Sequence, residues 1–578
     1  MRHILVFKCS LFHKLTKVVE SIRLLTILVV LVGMSACSDT NFDSSLAILS
    51  TSPEDGETGI SVALNTAITV TFNADMDQGT ITTSTFTVNG GAVGGVISYP
   101  SADAAAFTPS SELVYATTYT ATITTAAADA GGSTLTEDYS WSFTTVAAET
   151  IRVSVPNLDD QDTLGGQGNN DTWGVPAISG DGRYAAFSSR ASNLVLNDAN
   201  GTDDIFLHDT QIGTTTIVSV STDGAPGDGE HHFGASISGD GRYVAFHSDS
   251  SNLVSGDTNG KDDIFVRDMN DGGTIFRASL PNLPDQGILG TEGNDKSYNP
   301  SLSASGQYAA FDSLASNLVL SDGNGVRDIF RHDVDTGETI LVSVAFDGTQ
   351  ADDRSYSASI NMNSGDIVDG RYIAFVSYAT NLVADDTNEK PDVFRRDTQE
   401  GITIRVNVPG FYNQSALGTE AVGDSGTNWK KPGISADGRY VVFYSEATNL
   451  VADDTNGEGD IFMYDTVSLE TTRVSVASDG TQGNRSSWGP PTISADGRYV
   501  AFYSYATNLV AGDTNALGDV FVHDAQNGVT RRLVVATGGQ SSDPVISADG
   551  KYVVFSSYAT NLVAGDTNLM GDFFRTLF

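Results

Sequence analysis

Ile178-Ser-Gly-Asp-Gly-Arg-Tyr-Ala-Ala-Phe187 decides the fold, because the phrase recurs with small changes at Ile237, Leu302, Ile434, Ile493 and Ile546, and a variant copy ends Asp369-Gly-Arg-Tyr-Ile-Ala-Phe375. A second phrase follows each copy, first seen as Asn193-Leu-Val-Leu-Asn-Asp-Ala-Asn-Gly-Thr-Asp-Asp204. Its leading Asp falls at 198, 257, 322, 386, 454, 513 and 566, so seven units fill residues 151–578. Internal repetition at such a period is the mark of a repeat architecture and takes precedence over other signals. Each unit offers four strand candidates: Pro-x-Ile-Ser, Arg-Tyr-Val-x-Phe, Asp-Ile-Phe-x-x-Asp and x-x-Arg-Val-Ser-Val. Four short strands per unit is the make-up of a β-propeller blade. In the second strand Tyr440, Val442 and Tyr444 share one face, and Val441 and Phe443 the other. Both faces are apolar, as sheets packed between neighbouring sheets require. The Asp-Gly turns put Gly182, Gly241, Gly438 and Gly497 where positive φ is needed.

The last unit reaches Phe578 in its third strand and lacks a fourth, while Ile151-Arg-Val-Ser-Val155 precedes the first unit and matches the fourth-strand phrases. This segment is therefore expected to complete the last blade, removing the exposed edges of an open ring.

Ahead of the repeats, residues 48–146 alternate apolar and Thr-rich positions, as in Ala67-Ile-Thr-Val-Thr-Phe72 and Tyr119-Thr-Ala-Thr-Ile123. Such alternation reads as strands of a sandwich. With Ser52-Pro-Glu-Asp-Gly56, Asp75-Met-Asp77, Phe107-Thr-Pro109 and Trp141-Ser-Phe-Thr-Thr145, the segment resembles the bacterial Ig-like domain. That resemblance implies a spacer or adhesion module; alternation puts Trp141 and Phe143 on one face of the terminal strand, which favours core packing over a ligand platform. The repeats resemble the TolB-type propeller family, whose turn reads Ser-Pro-Asp-Gly. This chain has Gly or Ala in place of the Pro, and Ser305-Gly-Gln307 and the insert Asn361–Val368 depart further. The resemblance implies an all-β chain, an Ig-like sandwich followed by a seven-bladed propeller, in a family of scaffolds, partner-binding modules and regulatory propellers of hydrolases.

The 578 residues include 31 Lys+Arg against 72 Asp+Glu, a net charge of −41, with 40% hydrophobic residues. That is too apolar for a disordered acidic chain and too negative for a nucleic-acid binder. Arg2, Lys8, Lys14, Lys17 and Arg23 precede the apolar run Leu24–Val32, which is too short to span a bilayer. Met34-Ser-Ala-Cys37 resembles a lipobox, which implies a signal peptide over 1–36, lipidation of Cys37, a tether over 37–47 and an outer-membrane or cell-surface address. The lipid is then the expected contact with the membrane. Cys9 and Cys37 are the chain's two cysteines, so the mature propeller would hold no disulfide.

Strand order sends the long loops to one face, where binding residues collect on a rigid scaffold. One feature there is Asp-x-Asn-x-x-x-Asp: Asp198, Asn200 and Asp204; Asp257, Asn259 and Asp263; Asp454, Asn456 and Asp460. These oxygens either cap a tight turn or wrap a cation, with Ca²⁺ the cation such loops suit. The other feature is an aromatic residue before the first strand in six units: Trp173, Phe233, Tyr298, Tyr356, Trp429 and Trp488. Interleaved with Lys and Arg, they either stack on sugar rings or an acidic peptide, or plug the gaps between blades. First strands ending in Ser179, Ser238, Ser303, Asn361, Ser435, Ser494 and Ser547 suggest a neutral channel wall without the carboxylates a glycosidase needs. Gly423-Asp-Ser-Gly426 has no placed His partner and reads as a turn. The expectation is a monomeric, non-catalytic binding or scaffolding lipoprotein with an extracellular or periplasmic protein or glycan as partner. Its rival is an enzyme acting on such glycans or peptides through loop carboxylates.

Overall fold

The computed structural model describes residues 46–60, 67–110, 113, 118–145, 150–196, 198–270, 273–362, 369–426, 430–534, 536 and 538–578. The chain divides into two compact units, Met1–Ala147 and Ala148–Phe578.

In the first unit, alternating side chains build two four-stranded sheets. One orders Ile48–Ser52, Ile68–Phe72, Ala104–Pro109 and Gly95–Ser101; the other orders Glu57–Ile60, Tyr139–Thr145, Thr118–Ile123 and Phe86–Val88. The period of two turns Ile68, Val70 and Phe72 inward to meet Phe86, Phe107, Trp141 and Phe143. Trp141 and Phe143 are each 1% exposed, so both are core residues. Asp77 caps the short turn Gln78–Thr80 by accepting from the Gly79 N–H at 3.0 Å.

The second unit holds seven four-stranded antiparallel sheets, six of them meanders of consecutive strands. Six are built from residues 172–217, 231–277, 297–341, 355–405, 433–473 and 487–532. The seventh takes Ser541–Ile546, Tyr552–Ser557 and Asp572–Leu577, and its fourth strand is Thr150–Arg152. Arg152 pairs with Phe574, Ile151 with Arg575 and Thr150 with Thr576. The seam continues through Val153 N–H to Phe573 O at 2.9 Å and Ser154 Oγ to Asp572 at 2.6 Å. The ring is closed by the segment that the fourth-strand phrase identified.

Three repeated devices explain why these sequences pack as blades. A Phe on the second strand stacks on a Phe of the third in every blade, from Phe187–Phe206 at 5.9 Å between centroids to Phe555–Phe574 at 5.9 Å. The glycine of each Asp-Gly turn lies against the Tyr that opens the second strand of the preceding blade. Gly241, at φ +76°, rests on Tyr184, and Gly182 rests on Tyr552 across the closure. Any Cβ there would overlap the ring, so glycine is needed for close approach as well as for positive φ. The Arg after it clamps the Asp ending the third strand, as in Arg242 to Asp268 at 2.9 and 2.6 Å.

The residue between Ser and Asp in that turn links neighbouring blades. Gly180 N–H donates to Gly239 O at 2.8 Å, Gly239 to Ala304 O at 2.8 Å, Ala436 to Ala495 O at 3.0 Å, and Ala495 to Ala548 O at 3.0 Å; Asp549 N–H returns to Gly180 O at 3.0 Å. Asp369 Oδ1 accepts from Ala304 N–H at 2.9 Å, and Asn361 Nδ2 donates to Ala436 O at 2.9 Å, so the belt passes through the irregular fourth blade. A proline has no N–H to give. In the blades where this residue donates, the belt needs a backbone N–H at the position where the Ser-Pro-Asp-Gly turn has proline.

Candidate functional site

The second-to-third and fourth-to-first connections of these meanders share one face. There the acidic phrase places its last Asp at the start of the third strand: Asp204, Asp263, Asp328, Asp392, Asp460, Asp519 and Asp572 are buried to within 1%. A hydroxyl from the fourth-strand segment donates to most of them, as Ser219 Oγ does to Asp204 at 2.6 Å and Ser475 Oγ to Asp460 at 2.6 Å. The Asn of the phrase turns its amide nitrogen toward the same carboxylate, 2.9 Å for Asn259 to Asp263, and its oxygen toward the Lys261 N–H at 2.8 Å.

Between the first and last Asp of the phrase, five blades insert an arginine from the fourth strand. Arg277 lies 3.1 Å from Asp257 and 3.0 Å from Asp263; Arg473 lies 3.4 Å from both Asp454 and Asp460. Arg405, Arg532 and Arg152 repeat the arrangement. A guanidinium therefore stands where the calcium reading puts the ion, and Asp257, Asn259, Asp263, Asp454, Asn456 and Asp460 form an ion-paired turn instead. Burial raises the Asp257 carboxyl to about 6 despite the attraction of Arg277. The fourth-strand phrase x-x-Arg-Val-Ser-Val carried the signal, since the arginine that would neutralise the loop is written in it.

Two blades lack that arginine, having Ile217 and Leu341 at the register position. In the third blade, Gln350 Nε2 bridges Asp322 at 2.8 Å and Asp328 at 3.0 Å. In the first, Asp204 sits 3.6 Å from His231 Nε2 and burial raises it to about 6, while Asp198 is raised by burial as well. Asn200 Oδ1 accepts from the Thr202 N–H at 3.3 Å. Among the described residues, no three His, Cys, Asp or Glu side chains are grouped to hold a metal ion.

The aromatic positions do not form a uniform ring. Trp173, paired with Ser188, is 41% exposed, and Trp488, paired with Tyr503, is 46% exposed. Tyr298 is half-buried, edge-on to His247 at 5.6 Å, with the Arg327 guanidinium 4.7 Å from its ring centre. Tyr356 is 2% exposed and packs against Tyr378, so it plugs the ring rather than facing a ligand. Register puts His232, opposite His247, at the position of Trp173; Phe233 falls one place later, within the bulge that includes Gly234 at φ +97°. Trp429 and the side chain of Phe233 lie outside the described residues, as do Cys37 and the 1–36 segment. Beside Trp488, the Lys430 ammonium lies 3.2 Å from the Tyr444 ring centre and 4.4 Å from that of Trp488. Burial there lowers its pKa to about 8.

The channel wall also differs from the expectation. Ser179, Ser238, Ser435, Ser494 and Ser547 are fully buried and turn back to bond the Asp two residues on, as in Ser179 Oγ to Asp181 at 2.7 Å. The residues before them line the channel instead, around a cavity of about 270 Å³ that is mostly apolar. Pro300, Pro432 and Pro491 interrupt the alternation there, and Lys431 is its one titratable residue among those described.

Residues 43–145 match the bacterial Ig-like domain family. No curated protein matches the chain. Among solved structures, an oligogalacturonate lyase in complex with manganese is 12% identical, with 71% of this chain and 90% of that chain covered at a TM-score of 0.39. The oligogalacturonate lyase from Vibrio parahaemolyticus is 10% identical, covering 75% and 97% at 0.42, and a putative TolB from Agrobacterium tumefaciens is 18% identical, covering 57% and 87% at 0.31. The chain thus carries a bacterial Ig-like domain followed by a closed seven-bladed propeller.

Proposed function

We propose that the propeller is a non-catalytic binding module that engages a protein or glycan through its loop face, carried on an exported, lipid-anchored chain with Cys37 as the acylated residue. The observation that carries this reading is the pair of half-exposed indoles, Trp173 and Trp488, on the innermost strands of a rigid ring. Exposed indole faces on a fixed scaffold stack on sugar rings or peptide groups at little entropic cost. Cations stand against two of the aromatic positions, Arg327 over Tyr298 and Lys430 over Trp488. Against turnover by the loops stands the burial and pairing of their carboxylates: in five blades both Asp side chains of the phrase are almost fully buried against an arginine, out of a substrate's reach.

The test is a glycan and envelope-protein array probed with the wild-type chain and a Trp173→Ala/Trp488→Ala variant. Saturable binding that the variant loses by about tenfold or more, without consumption of the ligand, supports the module. Release of product from a bound glycan or peptide would establish the enzyme reading in its place.

A further inference from the structure

Lys431 lies two residues before the innermost strand of the fifth blade, Gly433–Ile434, and lines the central cavity. The lining around it is apolar, including Val175, Ile178, Ile237, Pro300, Ile434 and Pro491. The polar side chains on that wall are already engaged. Asn299 Nδ2 donates to Asp312 at 3.0 Å, Ser359 Oγ donates to Pro432 O, and Ser301 Oγ accepts from the Ile360 N–H at 3.2 Å. Thr492 Oγ1 accepts from the Ile546 N–H at 3.1 Å. The charged group nearest in effect to Lys431 is Asp312, which is itself buried and ion-paired to Arg327 at 3.2 Å. No described residue offers the Lys431 ammonium a hydrogen bond or an ion pair. A half-buried cation on an apolar wall is partly desolvated, and a ligand that brings the opposite charge recovers that cost.

We infer that the channel is a binding site for a small amphipathic anion, an aliphatic chain ending in a carboxylate, with the carboxylate on Lys431 and the chain along the apolar wall. The charge and the shape of the site select together. A neutral chain forgoes the ion pair, a cationic one is repelled, and a carboxylate on a branched or polar body cannot follow the wall. Burial lowers the Lys431 pKa to about 8, with Asp312 opposing that shift. Affinity for a carboxylate should therefore be full below pH 8 and fall as the ammonium deprotonates above it. This inference does not depend on the loop-face reading, whose ligand is larger and lies outside the channel.

The experiment is calorimetric titration of the purified protein with decanoate, below its micelle-forming concentration, beside 1-decanol and decyltrimethylammonium. The expected result is saturable one-to-one decanoate binding that weakens at least tenfold between pH 6.5 and 9.5. Lys431→Met should keep the cooperative melt of the wild type, lose decanoate affinity about tenfold or more, and retain its affinity for decanol. The absence of saturable decanoate binding would overturn the inference, as would equal binding of decyltrimethylammonium or an unchanged decanoate affinity in Lys431→Met. The pH dependence of the wild-type protein decides the matter independently of the variant.

Discussion

Replacing Arg277 by Met should cost the propeller about 3–5 kcal/mol at neutral pH, the range for removing one partner of a buried ion pair. The side chain is 7% exposed and its guanidinium contacts Asp257 at 3.1 Å, Asp263 at 3.0 Å and Glu292 at 3.0 Å, with Asp257 4% and Asp263 0% exposed. Met fills much of the volume but leaves two buried carboxylates facing each other. Asp257 is already raised to about 6 with the arginine present, so without it the carboxyl titrates higher still. A carboxyl raised in the folded state takes up its proton there before the unfolded chain does, so the variant regains stability as pH falls. Urea denaturation at pH 8 and pH 5 should show the deficit largest at pH 8 and reduced by half or more at pH 5. Millimolar Ca²⁺ should raise the variant's midpoint at pH 8 and leave the wild type unmoved, because a divalent cation can take the place of the guanidinium. A loss below about 1 kcal/mol, equal at both pH values, would refute the view that arginine neutralises these loops.

Ala495→Pro removes the N–H that reaches Ala548 O at 3.0 Å, and should lower stability by about 1–2 kcal/mol in urea denaturation. A neutral or stabilising proline would show that the belt contributes nothing. His332 is 4% exposed, contacts Thr339 Oγ1 at 2.9 Å, and is held by burial down to about 4. Its contribution is full above the ordinary histidine pKa of about 6.5 and is lost as pH falls toward 4, on the order of 3 kcal/mol in all. His332→Asn should flatten that part of the acid limb in a pH series of melts, and an identical acid limb would contradict the assignment.

Much of the propeller was legible because its determinants are local and repeated. The Ser-x-Asp-Gly-Arg turn, the Tyr-x-x-Phe strand and the Asp-Ile-Phe strand each use short-range geometry, and seven copies average out the exceptions. Closure was legible for the same reason, since Ile151-Arg-Val-Ser-Val155 is a fourth-strand phrase displaced to the front of the ring. The sites were harder to read because they depend on residues distant in sequence. The acidic phrase looks like a cation loop until Arg277, fourteen positions after Asp263, folds back on it. The bulge in the innermost strand of the second blade sets the four steps from His232 to Ser236 against two on the partner strand, which moves Phe233 off the aromatic position and leaves His232 there. The serines that end the first strands are claimed by their own turns, and the channel falls to prolines and aliphatics whose run has no period of two.

The claim on which all of this rests is that the segment after the first unit pairs with the last strand of the chain. Thr150 and Thr576 place their hydroxyls 2.8 Å apart across that seam. With Cys9 and Cys37 changed to Ser, no other cysteine remains, so a Thr150→Cys/Thr576→Cys chain can form only the one intramolecular disulfide. The account predicts that this bond forms in air without loss of the native melting transition, and that digestion yields the two terminal propeller peptides joined. Two free thiols after mild oxidation of the folded chain would contradict it.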